Sequence, residues 1–359
     1  MARFLAIDVG AGTLDAMFLD TRSGDQFKFV AKSPTRVLAE RIDTCKSEQI
    51  VITGRQMGGG PVSEVIRKKA TECTVMMTRS AAETIHHRME KVRNLGVRLI
   101  SQRVAQKKRK SHNVSWFETG DVPAKDLVTV FRAMGIEPAV DFLGIAVQDH
   151  GTPRTKISTL DFRHTIFREI IEVSPKPSAF LFASDRIAPY LRRMRAVAMD
   201  SVSFPSGKVY VMDTGMAAIL GASSDPAARK KKAIIVLDVA TSHTLGALVV
   251  GDEIGGFFEY HTSDITPAVL KSLIIDLADG KLSHPKIRSE GGHGAYVRKS
   301  VGFKQIELIL ATGPKRKILE HVGIDNIVFG APMGDNMMTG TAGLILAIAD
   351  REGLSFPPF

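Results

Sequence analysis

Two stretches of this chain repeat one pattern, in which an apolar run ends in aspartate, a short turn of small residues follows, and a second apolar run returns. In the first, Phe4-Leu5-Ala6-Ile7 leads into Asp8, glycines occupy positions 10 and 12, Thr13 follows, and Leu14 to Leu19 returns. In the second, the stretch from Ala233 to Val250 again has an apolar run into Asp238, a turn of small residues and a returning run. The returning runs lack the 3.6-residue period of a helix, so each stretch predicts a β-hairpin and not the strand-to-helix unit of a dinucleotide fold. Gly251-Asp252 then turns into a further strand, Ile254 to Tyr260. A duplicated hairpin predicts two related halves, with the boundary between Met199 and Lys232 and the division placed at 1–205 and 206–359.

Each hairpin has the chemistry of an anion site. Without side chains at Gly10 and Gly12, backbone N–H groups can point into a phosphate, and glycine allows any backbone angle there. Thr13 adds a hydroxyl donor. Asp8, at the end of a buried strand, is placed to reach a metal ion through water, since Mg2+ keeps much of its hydration shell. The plain alternative for each hairpin is an Asp/Gly turn with no ligand.

These residues resemble the actin-like ATPase superfamily, which includes sugar kinases, actin and the heat-shock chaperone ATPases. Asp8 to Asp15 looks like its first phosphate motif and Asp238 to Thr244 like its second. The resemblance implies an α/β fold of two ribonuclease H-like lobes with a nucleotide cleft between them. It further implies ATP and Mg2+ as cofactors, and phosphoryl transfer to an unknown acceptor or ATP hydrolysis as the reaction. Carried onto this sequence, Asp8 and Asp238 would manage the metal and its water. Gly10, Gly12 and Thr13 would contact phosphate from one side, Ser242 and Thr244 from the other, and Thr312-Gly313 would hold the adenosine. Over nearly its full length the chain is also similar to a prokaryotic family labelled as a pyruvate formate-lyase activating enzyme. That similarity rests on Gln148-Asp149-His150-Gly151, Asp213-Thr214-Gly215, Glu259-Tyr260-His261-Thr262 and Gly291-Gly292-His293-Gly294. The label brings no established reaction. Glycyl-radical activators carry a CxxxCxxC cluster motif, which Cys45 and Cys73, the only cysteines, do not form.

The second hairpin departs from the superfamily pattern, with Ala240 where glycine is usual and Thr241 after it. This predicts weaker backbone access to phosphate, and it keeps a second function open: a non-catalytic binding module that holds an acidic partner or nucleic acid. The net charge of +10 concentrates in Lys107 to Lys110, Arg192 to Arg195 and Arg229 to Lys232. With one Trp and four Tyr, stacking platforms for single strands are sparse, and solvated faces are the simpler reading of the basic runs. No apolar run approaches the ~20 residues of a membrane span, and the start enters a strand, which predicts a cytoplasmic protein.

Between the hairpins, strands alternate with helices, as in an α/β architecture. Helices are expected over Pro34 to Asp43 and Val62 to Ala70, and another from a cap at Ser80 through Met89 to Val92. Residues 104–124, with their Lys/Arg run, read as an exposed loop or insertion. Gly58-Gly59-Gly60 is either a second substrate loop or a flexible connection. Val140 to Val147 reads as a core strand that delivers Asp149 at its C-terminal end, where open α/β sheets place their chemistry, so Asp149 is the candidate general base or the group that orients His150, the plain alternative being an Asp/His pair that satisfies a turn. His243, His261 and His293 have no tight metal-ligand spacing along the chain; they either converge in the cleft beside Glu259 or are hydrogen-bonded cleft or core histidines. Gly340 to Ala347 reads as a small-residue helix connecting the two lobes.

Overall fold

Both hairpins form, and each lies in the interior of its own six-stranded sheet. The computed structural model describes residues 1–111 and 113–355. Across the first sheet the order is Gln26–Lys32, Thr13–Asp20, Arg3–Val9, Val140–Val147, Ser206–Asp213 and Leu181–Ala183. The first three strands make an antiparallel meander, and Val140–Val147 and Ser206–Asp213 extend it in parallel. The second sheet repeats this: Glu253–His261, His243–Val250 and Ala233–Val239 form the meander, and Leu308–Thr312 and Ile327–Phe329 extend it in parallel. Gly294–Val297 adds at the meander's outer edge. Meander-plus-parallel in duplicate is the pair of ribonuclease H-like lobes of the actin-like ATPase fold.

Two helices join the lobes. Thr214–Ser223 leaves the last parallel strand of the first sheet, and Thr339–Glu352 closes the chain. They cross at glycines: a Cβ on Gly221 would lie 1.9 Å from the Thr339 carbonyl, and one on Gly343 would lie 1.8 Å from that of Ala217. Neither position admits a side chain, so the small residues at 340–347 are a packing requirement. One apolar core runs continuously through this crossing, from Phe4, Ala6 and Met212 of the first sheet, past Met216 and Ile345, to Val236 and Leu310 of the second. The division expected at 205/206 cuts off Ser206–Asp213, which pairs in the first sheet. On sheet membership we propose that the lobes divide after Thr214–Ser223, between residues 224 and 232.

A third, four-stranded parallel sheet is inserted between Lys32 and Val140, in the order Arg98–Ile100, Thr74–Thr78, Gln49–Gly54 and Val114–Thr119. Here two expectations fail. Residues 104–124 are not a loop: Ser101 caps the helix Gln102–Lys108 by accepting from the Val104 amide, and Val114–Thr119 pairs with the central strand. The basic run hides these elements, although it packs, with the Arg109 guanidinium 5.1 Å from the Trp116 ring centre. Nor does Ser80 cap a long helix. Its hydroxyl donates to the Gly54 carbonyl, and the chain makes two short helices, Arg79–Ala82 and Met89–Arg93. They are interrupted where His86 Nδ1 accepts the Arg88 amide.

Candidate functional site

The turns of the two hairpins face each other across a cleft of ≈ 460 Å³ between the lobes. Their geometry matches. Gly10 N–H donates to the Thr13 carbonyl at 3.0 Å, and Ala240 N–H donates to the His243 carbonyl at 3.1 Å. The pairing registers also match, with Val9 opposite Leu14 and Val239 opposite Thr244. Asp8 therefore corresponds to Asp238, Gly10 to Ala240, Gly12 to Ser242, and Thr13 to His243. This corrects one expectation: Thr244 is the counterpart of Leu14, is fully buried, and hydrogen-bonds the Thr262 hydroxyl at 3.0 Å. Ser242 is the residue that reaches the cleft.

Neither Gly10 nor Gly12 takes a positive φ, so the backbone freedom of glycine is not what these positions use. A Cβ on Gly10 would make an ordinary 3.4 Å contact with the Thr13 carbonyl, so alanine at the matching position 240 fits this turn without strain. Gly12 differs. A Cβ there would lie 2.9 Å from the Thr241 hydroxyl, because the two turns touch across the cleft.

Carboxylates gather behind the turns. Asp8 accepts the Thr214 hydroxyl at 2.6 Å on Oδ1, while Oδ2 rests against Gly340, where a Cβ would lie 2.0 Å away. Two helices begin beside it, and their N-terminal dipoles favour a negative charge. Burial nonetheless pushes Asp8 well above the ordinary carboxylate range, with the Thr214 bond opposing and Asp15, Asp238 and Asp213 adding repulsion. Asp15 stands directly across the hairpin from Asp8. Burial raises it to about 7, and its Oδ1 is buried with no hydrogen-bond partner. Asp238 is raised by burial to about 6. Gly313 packs against it with a φ of +87°, and a Cβ there would lie 2.9 Å from Asp238 Oδ1, so glycine is required. Gly313 and Pro314 line the cleft, whereas Thr312 is fully buried and donates to the Leu237 carbonyl at 3.4 Å. The adenosine contact expected of Thr312 is thus not available to its side chain.

Asp149 also lies at the cleft wall, but both its oxygens are in use. Oδ1 accepts the Gly151 amide at 2.8 Å and Oδ2 the Met194 amide at 3.0 Å. These bonds fasten the helix Arg192–Asp200 to the end of the core strand, which gives the Asp149 carboxylate a capping role in the cleft wall. The Arg192 to Arg195 run is correspondingly not a free basic face. Arg192 pairs with Glu83, and Arg193 pairs with Asp121 at 2.7 Å and donates to the Gln148 carbonyl at 2.8 Å. The glycine run joins the same wall: Gly58 N–H donates to Asp121 at 3.0 Å, and a Cβ on Gly58 would lie 2.9 Å from the Arg193 guanidinium.

The lobes are also bound by a buried ion triad that sequence reading missed. Arg163, on the helix Thr159–Val173 of the first lobe, pairs with Asp213 at 2.7 Å and with Glu259 of the second sheet at 3.0 Å. Gln148 also donates to Glu259, at 2.5 Å. Burial alone would raise Glu259, but the Arg163 guanidinium holds it well below the ordinary range. An arginine in an amphipathic helix gives no sequence signal of such a role. The three histidines left without a spacing motif, His243, His261 and His293, converge beside this triad.

The chain belongs to the family described as "Putative pyruvate format-lyase activating enzyme (DUF1786)", whose family model matches residues 57–318. Cys45 and Cys73, too few for a radical-activator cluster, pack at the core of the inserted sheet and not at the cleft. No curated relative matches the chain. Among solved structures, ethanolamine utilization protein EutJ from Carboxydothermus hydrogenoformans is similar at 9% identity, over 95% of this chain and 88% of that one, with a TM-score of 0.35. A ROK family glucokinase from Streptomyces griseus, solved with glucose and AMPPNP, is similar at 12% identity over 96% and 99%, with a TM-score of 0.35. The AlfA filament protein from a B. subtilis plasmid is similar at 11% identity over 96% and 98%, with a TM-score of 0.38. The fold itself rests on the sheet order described above. Among the described residues no helix is long and apolar enough to cross a membrane.

Proposed function

We propose that the chain binds a Mg2+–nucleotide, ATP in the first instance, between its two hairpins, and that phosphoryl transfer or hydrolysis follows. The observation that carries this reading is the gathering of Asp8, Asp15 and Asp238 at two facing turns of small residues. Three carboxylates in one recess repel one another and resist ionisation, and a divalent cation relieves both effects. The donor set suits Mg2+: all its atoms are oxygens, and the buried Asp15 Oδ1 lacks any other partner. The turn amides around Ala11-Gly12 and Thr241-Ser242 supply donors for phosphate oxygens, as in other backbone nests. A bound cation would neutralise phosphate charge, which is the larger part of what phosphoryl transfer requires. The protein's own share is positioning: Thr214 fixes Asp8, Gly340 and Gly313 give the two aspartates room, and the Arg163 triad holds the lobes in register. The cleft volume lies within the roughly 300–1,000 Å³ usual for small-molecule sites.

The test is calorimetric titration of the purified full-length protein with ATP and Mg2+, beside the Asp8→Asn variant, with phosphate release followed in parallel. Wild-type binding that weakens by roughly 30-fold or more in the variant, about 2 kcal/mol, is the expected result. No binding at millimolar ATP, or equal binding by the variant, overturns the reading.

A further inference from the structure

We propose that His243, His261 and His293 form a binding site for a divalent transition-metal ion, with Zn2+ as the type case, at the cleft end of the second sheet. The three residues come from neighbouring strands. His243 opens His243–Val250 and pairs directly with His261, which ends Glu253–His261. His293 immediately precedes Gly294–Val297, its amide donating to the Glu259 carbonyl at 2.8 Å. Ligand atoms from all three rings lie within 4.8 Å of one another. His261 Nε2 and His293 Nε2 are 3.0 Å apart. With Zn–N bonds of about 2.0–2.1 Å, two nitrogens on one tetrahedral ion stand about 3.3 Å apart, so these two are already at the spacing of ligands sharing an ion.

An independent observation lies behind the ligands. His293 is 5% exposed, and its Nδ1 is buried without a hydrogen-bond partner, 3.8 Å from a Glu259 carboxylate oxygen. A charged carboxylate behind a ligating imidazole is the usual outer sphere of a metal-bound histidine, where it fixes the ring and offsets the ion's charge. Glu259 is held charged by Arg163, as the ion triad requires. Three imidazoles select Zn2+, Ni2+ or Cu2+ over Mg2+, which separates this site chemically from the carboxylates at the hairpins. Three protein ligands also leave a fourth position open, and His243 lines the cleft, so the ion would face the proposed nucleotide pocket. The competing account of the 3.0 Å contact is a metal-free hydrogen bond between two imidazoles.

The experiment uses full-length protein purified without a histidine tag, stripped with chelator, and titrated with Co2+ and then Zn2+ in the absence of nucleotide. One equivalent of Co2+ giving visible d–d absorption, displaced by Zn2+, is expected. His261 is exposed, so His261→Ala should fold as wild type by circular dichroism, yet lose more affinity than the roughly 10–100-fold typical of losing an outer-sphere partner. His243→Gln should behave alike, and Asp8→Asn should bind Co2+ as wild type does. Absence of the Co2+ spectrum leaves the hydrogen-bond account and overturns the proposal. Binding kept in His261→Ala and His243→Gln but lost in Asp8→Asn would place the ion at the carboxylates, and overturns it equally.

Discussion

The two hairpins have one backbone and different chemistry. Turn bonds and pairing register coincide, but opposite Asp8 stands Asp15, whereas opposite Asp238 stands Leu245, packed against Gly215. At the turn's far end Thr13 of the first hairpin corresponds to His243 of the second. The first hairpin is thus loaded with oxygen donors, and the second carries a single aspartate and hands over to imidazoles. The lesson is that a duplicated fold fixes where side chains point, while each copy remains free to differ in the chemistry it presents there.

Exchanging the cross-strand partners is the strongest way to break this comparison. Leu245→Asp places a carboxylate in an apolar contact with no partner, and should cost on the order of 4 kcal/mol in denaturant unfolding. Asp15→Leu makes the first hairpin resemble the second. It should stabilise the cation-free protein by about 1–2 kcal/mol at pH 8 by removing a buried charge, and should abolish stabilisation by Mg2+. Unchanged Mg2+ response in Asp15→Leu would show that the pair is not a metal site.

A pH series sharpens the same contrast with a smaller effect. Asp15 and Asp238 have folded-state values raised to about 7 and about 6, above the unfolded value of 3.8. The folded state therefore binds more protons than the unfolded one, and the stability these groups contribute is complete below pH ~4 and lost as pH rises through 6 to 7. In chelator, the melting temperature should fall between pH 5 and 8 by roughly 2–6 °C, and less in Asp15→Leu. Millimolar Mg2+ should remove most of the fall. A flat profile in chelator would mean that the carboxylates stay ionised without a cation.

The smallest effect tests the turns themselves. Gly10→Ala copies the residue found at position 240 and should change stability by less than about 1 kcal/mol, because its Cβ meets only an ordinary contact. Nucleotide binding should survive it. Failure of Gly10→Ala to bind would restore the significance first given to Ala240.

Much of this was legible in the chain. Apolar runs ending in aspartate gave both hairpins, around which the two six-stranded sheets are built. The readings failed where local signals conflicted with long-range pairing. Val114–Thr119 was concealed by an adjacent basic run, and Ser80 bonds across to Gly54 in place of capping a helix. At the site, Asp8, Asp238, Gly12, Ser242 and Gly313 all line the cleft. Thr244 is inward because side chains alternate along a strand, and a single-residue error in aligning the hairpins reverses the face. The two amide partners of Asp149, one of them 45 residues away, come into view only in the structure.

The sequence by itself determined the local elements: which runs are strands, where the turns fall, and that the pattern occurs twice, since these depend on residues close in the chain. Only the tertiary structure decided which distant groups meet. Arg163 reaches Asp213 and Glu259 across 50 and 96 residues, and three histidines separated by 18 and 32 residues become neighbours. Adjacent strands lie about 4.8 Å apart whatever the length of chain between them, so a sheet gathers at one end side chains that no spacing in the sequence connects.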